Sequence, residues 1–247
     1  MHGAGSLRPM HPPISLPAFS LACLICGNLA LSLRALPVCQ IVAKFPSSSS
    51  RMLGSMMTET IQNADLSILH TIQEAASPAL DAFMVGFTTL GEFGALWAIV
   101  GATMIALNKH RTFGIAIFVA VGLAFVIGDI GLKNIIERPR PFLVDPMLET
   151  SLISLPGSFS CPSGHTSSSF AAATVICLAP LAHRWLKPIA VVAAMAIAFS
   201  RLYLAVHNPT DVALGALLGI ACGCIAVFAV KKIGARIKTR SNTRHPS

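Results

Sequence analysis

The chain has 247 residues, of which 54% are hydrophobic and only 11% are charged, whereas an ordinary soluble domain has roughly 25% charged residues. This composition excludes an ordinary soluble domain and indicates an integral membrane protein. The net charge is +8, but the basic residues lie in short clusters between apolar runs. They do not form one face with interleaved aromatic residues, so the sequence argues against a nucleic-acid partner.

The first apolar run extends from Ile14 to Leu33, and a Ser- and Met-rich stretch, SSSSRMLGSMM, follows it. Three interpretations stay open for this run: a first transmembrane helix, a signal-like segment, or sequence upstream of the natural start. The third is favoured because the sequence from Met57, MTETIQNADLSILHTIQEA, is typical of an amphipathic interfacial helix that begins a chain. Residues 1–56 are therefore predicted to be an N-terminal extension that ends in a linker.

Five further stretches are apolar enough to enter a bilayer, whose hydrocarbon core is crossed by about 20 helical residues. The first is expected to break near Gly91 and Glu92, either as one tilted span or as a re-entrant piece followed by a span. The predicted fold is all-α, a polytopic transmembrane helix bundle of five to six spans. The membrane domain covers residues 57–230, and residues 231–247 form a basic cytoplasmic tail. The five stretches are Leu80 to Leu107, Phe113 to Ile130, Ser167 to Ala182, Pro188 to Tyr203 and Val212 to Val230.

Loop charges predict the orientation, because Lys and Arg in short loops are retained on the cytoplasmic side. From Met57 onward the chain has fourteen Lys and Arg residues. Ten of them lie in two loops and the tail, all on the side that this rule makes cytoplasmic. The remaining four lie on the opposite face, where topology disfavours them, so another reason must account for them. These four are Lys133, Arg138, Arg140 and Arg201.

Three segments reach this outer face: KNIIERPRP, SCPSGHTSSS and SRLYLAVHNPTD. A phosphoryl group in transfer spreads charge over its equatorial oxygens and needs several fixed donors. Arginine suits this role, because its planar fork matches phosphate oxygens in pairs. The sequence therefore predicts a phosphate site at the outer face of the membrane, with Lys133, Arg140 and Arg201 as its cations.

The segment SCPSGHTSSS is expected to add donors, because it leads into the third span and anions bind at helix N-termini. Ser163 and the backbone amides of Gly164 and His165 are the candidates. Gly164 also lets the backbone approach the anion closely.

Two histidines are candidates for the nucleophile and the acid, and no group of residues has the spacing of a metal site. A carboxylate at Asp211 would accept the Nδ1 proton of His207 and leave Nε2 free to attack phosphorus. Pro209 disfavours a continuous helix between these two residues, so the fifth span is expected to begin at Thr210. His165, as an imidazolium, would protonate the leaving oxygen and later activate water.

Two more charged residues are auxiliary candidates. Asp129 precedes Lys133 by four residues, so it is expected to pair with that lysine at the helix end, and the alternative is that it lines the cleft. Arg138, two residues before Arg140, creates a second register for the Arg-Pro motif and is a candidate for binding a diphosphate. Glu92 is a weaker candidate for the same cleft and is left out of the predicted site.

The three segments together resemble the signature of the type 2 phosphatidic acid phosphatase superfamily. Lys133 is separated by six residues from Arg140-Pro141, Pro162 to His165 reads Pro-Ser-Gly-His, and Ser200-Arg201 is followed by His207 and then by Asp211 at the family's spacing. The order and the gaps also agree, and the resemblance covers about residues 80–230. It implies a metal-independent reaction without a cofactor.

The resemblance also implies a role for each matched residue. His207 would form a phosphohistidine, Asp211 would orient it, and His165 would act as acid and base. The residues that would bind phosphate are Lys133, Arg140, Ser163, Gly164 and Arg201.

The expected activity is that of a multi-pass plasma-membrane lipid phosphatase whose site faces outside. The favoured substrate is undecaprenyl pyrophosphate, which would be hydrolysed to the monophosphate. A phosphatidylglycerophosphate or phosphatidic acid phosphatase is the alternative within the family. A lipid phosphotransferase and a non-catalytic membrane scaffold are alternatives of other classes. The sequence does not determine the lipid tail, the oligomeric state or whether Cys39 and Cys161 form disulfides.

Overall fold

The computed structural model describes residues 48–148, 150, 152–181 and 184–244. All regular elements in these ranges are helical, as the sequence predicts. The chain divides into two units, Met1–Met57 and Thr58–Ser247. The apolar run at residues 14–33 and Cys39 lie outside the described residues, so the three interpretations of that run stay open.

Helix α1 spans Ser48–Glu74. It begins inside the Ser- and Met-rich stretch, so the predicted linker is helical from Ser48 onward. Leu69 of this helix is fully buried, whereas Ile61 and Ile68 are about half exposed. The helix is held to the rest of the unit by polar contacts, one of which joins His70 Nε2 to Asp145 Oδ2 at 2.8 Å.

The first predicted span is broken where the sequence predicts a break. Helix α2 spans Pro78–Leu90, and Ser77 caps it by accepting a hydrogen bond from the amide of Leu80. A 3₁₀ turn at Glu92–Gly94 separates it from α3, Ala95–Ala106, and the two helices are bent by 51°. Gly94 lies in the left-handed region with φ 67°, which a glycine adopts without strain.

The second predicted span is longer and less regular than expected. Helix α4, Arg111–Ala124, continues as a π-helix over Phe125–Leu132 and then as α5, Lys133–Ile136. A short helix α6, Pro141–Val144, follows. The sequence does not predict the π-helix, a geometry that is frequent at functional sites. It carries Asp129 and leads directly into Lys133.

Three helices complete the bundle: α7 at Gly164–Leu178, α8 at Leu186–Tyr203 and α9 at Pro209–Arg244. Helix α9 packs closely on α7 because Gly215, Gly219 and Gly223 form a stripe at every fourth residue. A Cβ on Gly215 would lie 2.8 Å from the carbonyl oxygen of Ser163. Helix α9 also continues well beyond Val230, through the segment that the sequence assigns to the tail.

The number of spans differs from the prediction. Among the described residues, three helical segments are long and apolar enough to cross a membrane, or four if α2 and α3 form one bent span. The predicted span at Ser167 to Ala182 is not among them, because α7 has only 15 residues. It lies inside the bundle, with Ala171, Ala172 and Val175 fully buried. Five to six spans are therefore not confirmed.

Candidate active site

The three predicted segments meet around a cavity of about 920 Å³. They reach it from different elements: the end of the second span, the first turn of α7, the end of α8 and the loop before α9. The structure thus brings together predicted site residues that are up to 78 residues apart in the chain, from Asp129 to His207. The predicted site residues that line the cavity are Asp129, Lys133, Arg140, Gly164, His165, Arg201 and His207.

His207 lies in the loop between α8 and α9, and its side chain is almost fully buried. Its Nε2 atom lies 3.4 Å from Nη1 of Arg140. A guanidinium group has only donors, so Nε2 presents its lone pair there and the ring proton belongs on Nδ1. Burial, reinforced by the charges of Arg140 and Arg201, holds the pKa of His207 well below its ordinary value. The ring is therefore a neutral imidazole whose Nε2 lone pair points at Arg140.

Asp211, in the first turn of α9, does not form the predicted hydrogen bond with His207. Its Oδ2 lies 3.9 Å from Nδ1 of His207, which is beyond hydrogen-bond distance. The carboxylate instead accepts bonds from the Ser160 hydroxyl, from the Asn208 amide at 2.8 Å and from Arg138 Nη1 at 2.8 Å. Because Asp211 is fully buried, it places a negative charge beside the histidine without touching it.

Arg140 is fixed by backbone oxygens on both sides of the cavity. Its Nε donates to the carbonyl of Ser158 at 2.7 Å, and its Nη1 donates to the carbonyl of Val206 at 2.7 Å. Its Nη2 donates to the Ser158 hydroxyl at 3.1 Å. A guanidinium held in this way is oriented before a ligand arrives, which preserves its fork geometry for an anion.

Arg201, near the end of α8, is 4% exposed and reaches across to α2, where its Nη1 donates to the hydroxyl of Thr88. Its Nε is buried and has no partner among the described residues, and the same holds for Nε2 of His165. Unpaired buried polar atoms are costly unless a ligand or water satisfies them. Both atoms belong to residues that line the cavity, and Nε of Arg201 is a donor that an anionic ligand there would satisfy.

Lys133 and Asp129 form the pair that the sequence predicts, with Nζ 2.5 Å from Oδ1. The alternative for Asp129 holds as well, because this residue lines the cavity. Its carboxylate lies against the first turn of α7: a Cβ on Gly164 would be 2.7 Å from Oδ1 and 2.8 Å from Oδ2. The absence of a side chain at Gly164 is what makes room for the carboxylate.

Ser163 does not line the cavity, contrary to its predicted role as a direct phosphate donor. It is fully buried, its hydroxyl accepts a hydrogen bond from Thr166 at 3.0 Å, and its amide donates to the carbonyl of Asp211 at 3.1 Å. Ser163 therefore joins the start of α7 to the start of α9. The neighbouring Cys161 is a buried free thiol.

Arg138 also lies outside the cavity, contrary to the prediction that it helps to bind a diphosphate. Its two Nη atoms donate to Asp65, to Asp211 and to neighbouring hydrogen-bond acceptors, at 2.5–2.8 Å. The chain turns sharply before it, because Glu137 adopts a left-handed conformation with φ 49°. Arg138 and Arg140 consequently contact different partners: Arg138 binds Asp65 and Asp211, whereas Arg140 lies beside His207.

Sequence reasoning missed several polar residues that shape the site. Thr88 holds Arg201, Ser158 holds Arg140, and Asp65 holds Arg138. Each contact either joins segments that are far apart in the chain or involves an irregular loop. No local sequence pattern therefore predicts it. Glu92, which was left out of the predicted site, lines the cavity.

Comparisons with known proteins identify the family. The profile of the PAP2 superfamily matches residues 111–235. Phosphatidylglycerophosphatase B of Bacillus subtilis (strain 168) is 30% identical over 76% of this chain and 91% of its own length. An undecaprenyl-diphosphatase of Sulfolobus acidocaldarius is 32% identical over 50% of this chain, and the match spans 58% of that relative.

A solved structure shares the fold. The crystal structure of a transmembrane PAP2 type phosphatidylglycerolphosphate phosphatase from Bacillus subtilis matches with a TM-score of 0.60 and 30% identity. The match covers 74% of this chain and 90% of that one. Since profile, relatives and fold agree, this chain belongs to the PAP2 superfamily of membrane lipid phosphatases.

Proposed function

We propose that this protein hydrolyses a lipid diphosphate, undecaprenyl pyrophosphate, at the outer face of the plasma membrane, with His207 as the nucleophile. The observation that carries the proposal is the buried neutral ring of His207, whose Nε2 faces Arg140 in a cavity that also holds Lys133 and Arg201. A nitrogen lone pair beside fixed cations is the arrangement that attack on phosphorus requires.

In the first half of the reaction, Nε2 of His207 attacks the terminal phosphorus while the bond between phosphorus and the bridging oxygen breaks. His165 gives its proton to that oxygen, and the lipid monophosphate leaves. The negative charge of the bound phosphate stabilises the protonated form of His165 that this step needs. Lys133, Arg140 and Arg201 hold the equatorial oxygens.

In the second half, the neutral ring of His165 takes a proton from water, and the water oxygen attacks the phosphohistidine. The bond between phosphorus and Nε2 breaks, and its electron pair returns to His207. Inorganic phosphate leaves, and both histidines are restored. The buried charge of Asp211 stabilises the imidazolium form of His207 while it carries the phosphoryl group. The proposed cycle uses only side chains of this protein and one water molecule.

The lining of the cavity supports a lipid substrate. Apolar side chains of α4 and the π-helix, namely Phe118, Val121 and Phe125, line the same cavity as the cations. A lipid phosphate presents both an anion and an apolar chain to such a surface. The name of the relative from Sulfolobus acidocaldarius, an undecaprenyl-diphosphatase, supports a polyprenyl diphosphate.

The placement at the outer face rests on the loop charges described above. Lys109 and Arg111 lie at the start of α4, whereas Lys133 and Arg140 follow the π-helix that continues α4, next to the site. If the first pair is cytoplasmic by the charge rule, the site faces outside. An outward site suits a carrier lipid whose diphosphate form is released outside the membrane.

A second candidate is phosphatidylglycerophosphate. It is favoured by the relative from Bacillus subtilis, a phosphatidylglycerophosphatase, which matches over 91% of its length. Phosphatidic acid is the third lipid of the same class. All three present a phosphate at an interface, so the cations alone do not discriminate among them.

The test is phosphate release by the purified full-length protein from each of these three lipids in detergent micelles. We expect the highest kcat/KM with undecaprenyl pyrophosphate, and higher turnover of either other lipid would reject the substrate proposal. His207→Ala should lower activity by about a thousandfold or more. His110→Ala, a histidine outside the site, is the matched control and should keep full activity.

The same experiment separates the other classes of function. A non-catalytic scaffold would release no phosphate, or would release it equally well after His207→Ala. A lipid phosphotransferase would release less inorganic phosphate than the lipid substrate consumed, because part of the phosphoryl group would pass to an added lipid or sugar acceptor.

A further inference from the structure

Polar contacts connect helix α1 to the loop that carries His207. Asp65 of α1 is 3% exposed and accepts two hydrogen bonds from Thr210, from its amide at 3.2 Å and from its hydroxyl at 2.5 Å. One turn earlier, Nε2 of Gln62 donates to Oδ1 of Asn208 at 3.2 Å. Both contacts reach the segment between His207 and Asp211.

Arg138 extends this connection to Asp211. Its Nη2 donates to Oδ2 of Asp65 at 2.7 Å, and its Nη1 donates to Oδ1 of Asp211 at 2.8 Å. The guanidinium is a rigid planar fork, so the position of Asp65 helps to set its plane. That plane in turn sets the position of Asp211, whose other oxygen lies 3.9 Å from Nδ1 of His207.

The charges in this chain of contacts also depend on Asp65. Asp65 and Asp211 are both buried, and Arg138 is shared between them, so two negative charges face one positive charge. One unit of negative charge therefore remains to stabilise a cationic His207. Without the charge of Asp65, Arg138 would neutralise Asp211, and the phosphorylated ring would lose its nearest compensating charge.

We propose that Asp65 is a positioning residue for the reaction at His207, acting through Arg138 and Asp211. The inference rests on the function proposed above. Asp65 does not line the cavity, so it acts on the rate of the chemical step and leaves substrate binding unchanged. Helix α1 is thereby linked to the reaction at His207 through these contacts.

The test uses the purified full-length protein, with farnesyl diphosphate and dioctanoyl phosphatidic acid as probes and phosphate release as the readout. Asp65→Asn should lower kcat by about tenfold to a hundredfold and leave KM within about twofold. Asp65→Glu keeps the charge and should restore a substantial part of kcat. Glu74→Gln removes an exposed charge from the same helix and should behave as the wild type.

A double variant separates the charge effect from loss of structure. Asp65→Asn combined with Arg138→Gln removes both members of the pair and leaves the charge of Asp211 uncompensated again, so its kcat should exceed that of Asp65→Asn alone. A structural role would make the double variant as poor as the single one or poorer. The midpoint of thermal unfolding, measured for every variant, identifies any loss of kcat that only reflects unfolded protein.

Three results would overturn the inference: wild-type kcat in Asp65→Asn, a loss confined to KM, or a double variant no better than Asp65→Asn. These results differ from failure of the proposed function, which would appear as a wild type that releases no phosphate from any lipid diphosphate or monophosphate. In that case the positioning role falls together with the function on which it rests.

Discussion

Nζ of Lys133 lies 2.5 Å from Oδ1 of Asp129, so a cation of the candidate site is already paired inside the cavity. A phosphate that binds Lys133 must share it with this carboxylate, and the two anions repel each other. Asp129→Asn should therefore lower the inhibition constant of inorganic phosphate by about threefold to tenfold at low salt. Inhibition of phosphate release checks this, with Glu74→Gln as the control. An unchanged or raised inhibition constant would contradict it.

Gly164→Ala is expected to impair activity while the fold persists. The added Cβ would lie 2.7 Å from Oδ1 of Asp129, and this carboxylate is the far end of a side chain that can move away. The displaced carboxylate stays in the cavity, where it still repels the phosphate but no longer fixes the position of Lys133, so kcat/KM should fall by about tenfold. Gly86→Ala is the matched control, because nothing lies within 4 Å of its Cβ. Equal activity of the two variants would refute the close-approach argument.

Arg201→Lys should lower kcat/KM by about a hundredfold, because an ammonium group cannot contact Thr88 and chelate phosphate oxygens with a planar fork. Thr88→Val removes only the hydroxyl that holds Arg201 and should cost about fivefold. The control is Thr103→Val, a threonine whose hydroxyl donates within its own helix at 2.9 Å. Steady-state kinetics give kcat/KM for the three variants. If Arg201→Lys were as active as the wild type, the planar fork of Arg201 would not be needed for the reaction.

The depressed pKa of His207 predicts the pH dependence of activity. An ordinary histidine titrates at about 6.5, whereas this ring stays neutral and nucleophilic below that pH. The acidic limb of kcat/KM that belongs to His207 should therefore lie below about pH 6.5. Phosphorus NMR titration of the lipid separates the ionisation of the substrate from that of the enzyme. An acidic limb of kcat/KM that lies at about pH 6.5 and does not come from ionisation of the substrate would contradict the burial argument.

The same depressed pKa has a consequence for stability. As pH falls below about 6.5, the unfolded chain takes up a proton at residue 207 before the folded chain does. The contribution of this group to the free energy of unfolding is therefore lost as pH falls from that value towards the folded-state pKa. Replacement by glutamine, His207→Gln, should make the thermal midpoint less sensitive to acid between about pH 7.5 and pH 5. Parallel curves for the two proteins would contradict this.

Membrane orientation is tested by cysteine labelling in intact cells, in a chain whose native cysteines are replaced. Met147→Cys lies at an exposed position next to the segments that form the site, and Asn108→Cys lies before α4, at the opposite end of that helix. An impermeant thiol reagent should label the first and leave the second unlabelled until the cells are opened. The reverse pattern would place the site in the cytoplasm.

Seven of the ten residues that the sequence predicts for the site line the cavity, because phosphoryl transfer restricts the choice of side chains. Few side chains can act as fixed donors or as a nucleophile in an apolar protein, and their spacing fixed which of them share one end of the bundle. The pairing of Lys133 with Asp129 was predictable from helix geometry, since residues four apart lie on the same face of a helix. The break near Gly91 was predictable because Gly91 and the charged Glu92 interrupt the apolar run.

Other features depended on contacts that the sequence does not encode locally. Nothing in the order of residues shows that Arg138 turns to Asp65 while Arg140 turns to His207, because the left-handed conformation at Glu137 and a partner 73 residues away decide it. Packing also buried Ser163 and held Asp211 at 3.9 Å from His207.

The sequence by itself thus determined the membrane class, the family and the chemical groups of the site, because composition and short spacings carry that information. Only the tertiary structure decided which groups face the cavity and which support them from behind. The physical reason is that buried polar groups must find partners, and those partners, such as Asp65 for Arg138, come from wherever the fold brings a matching charge.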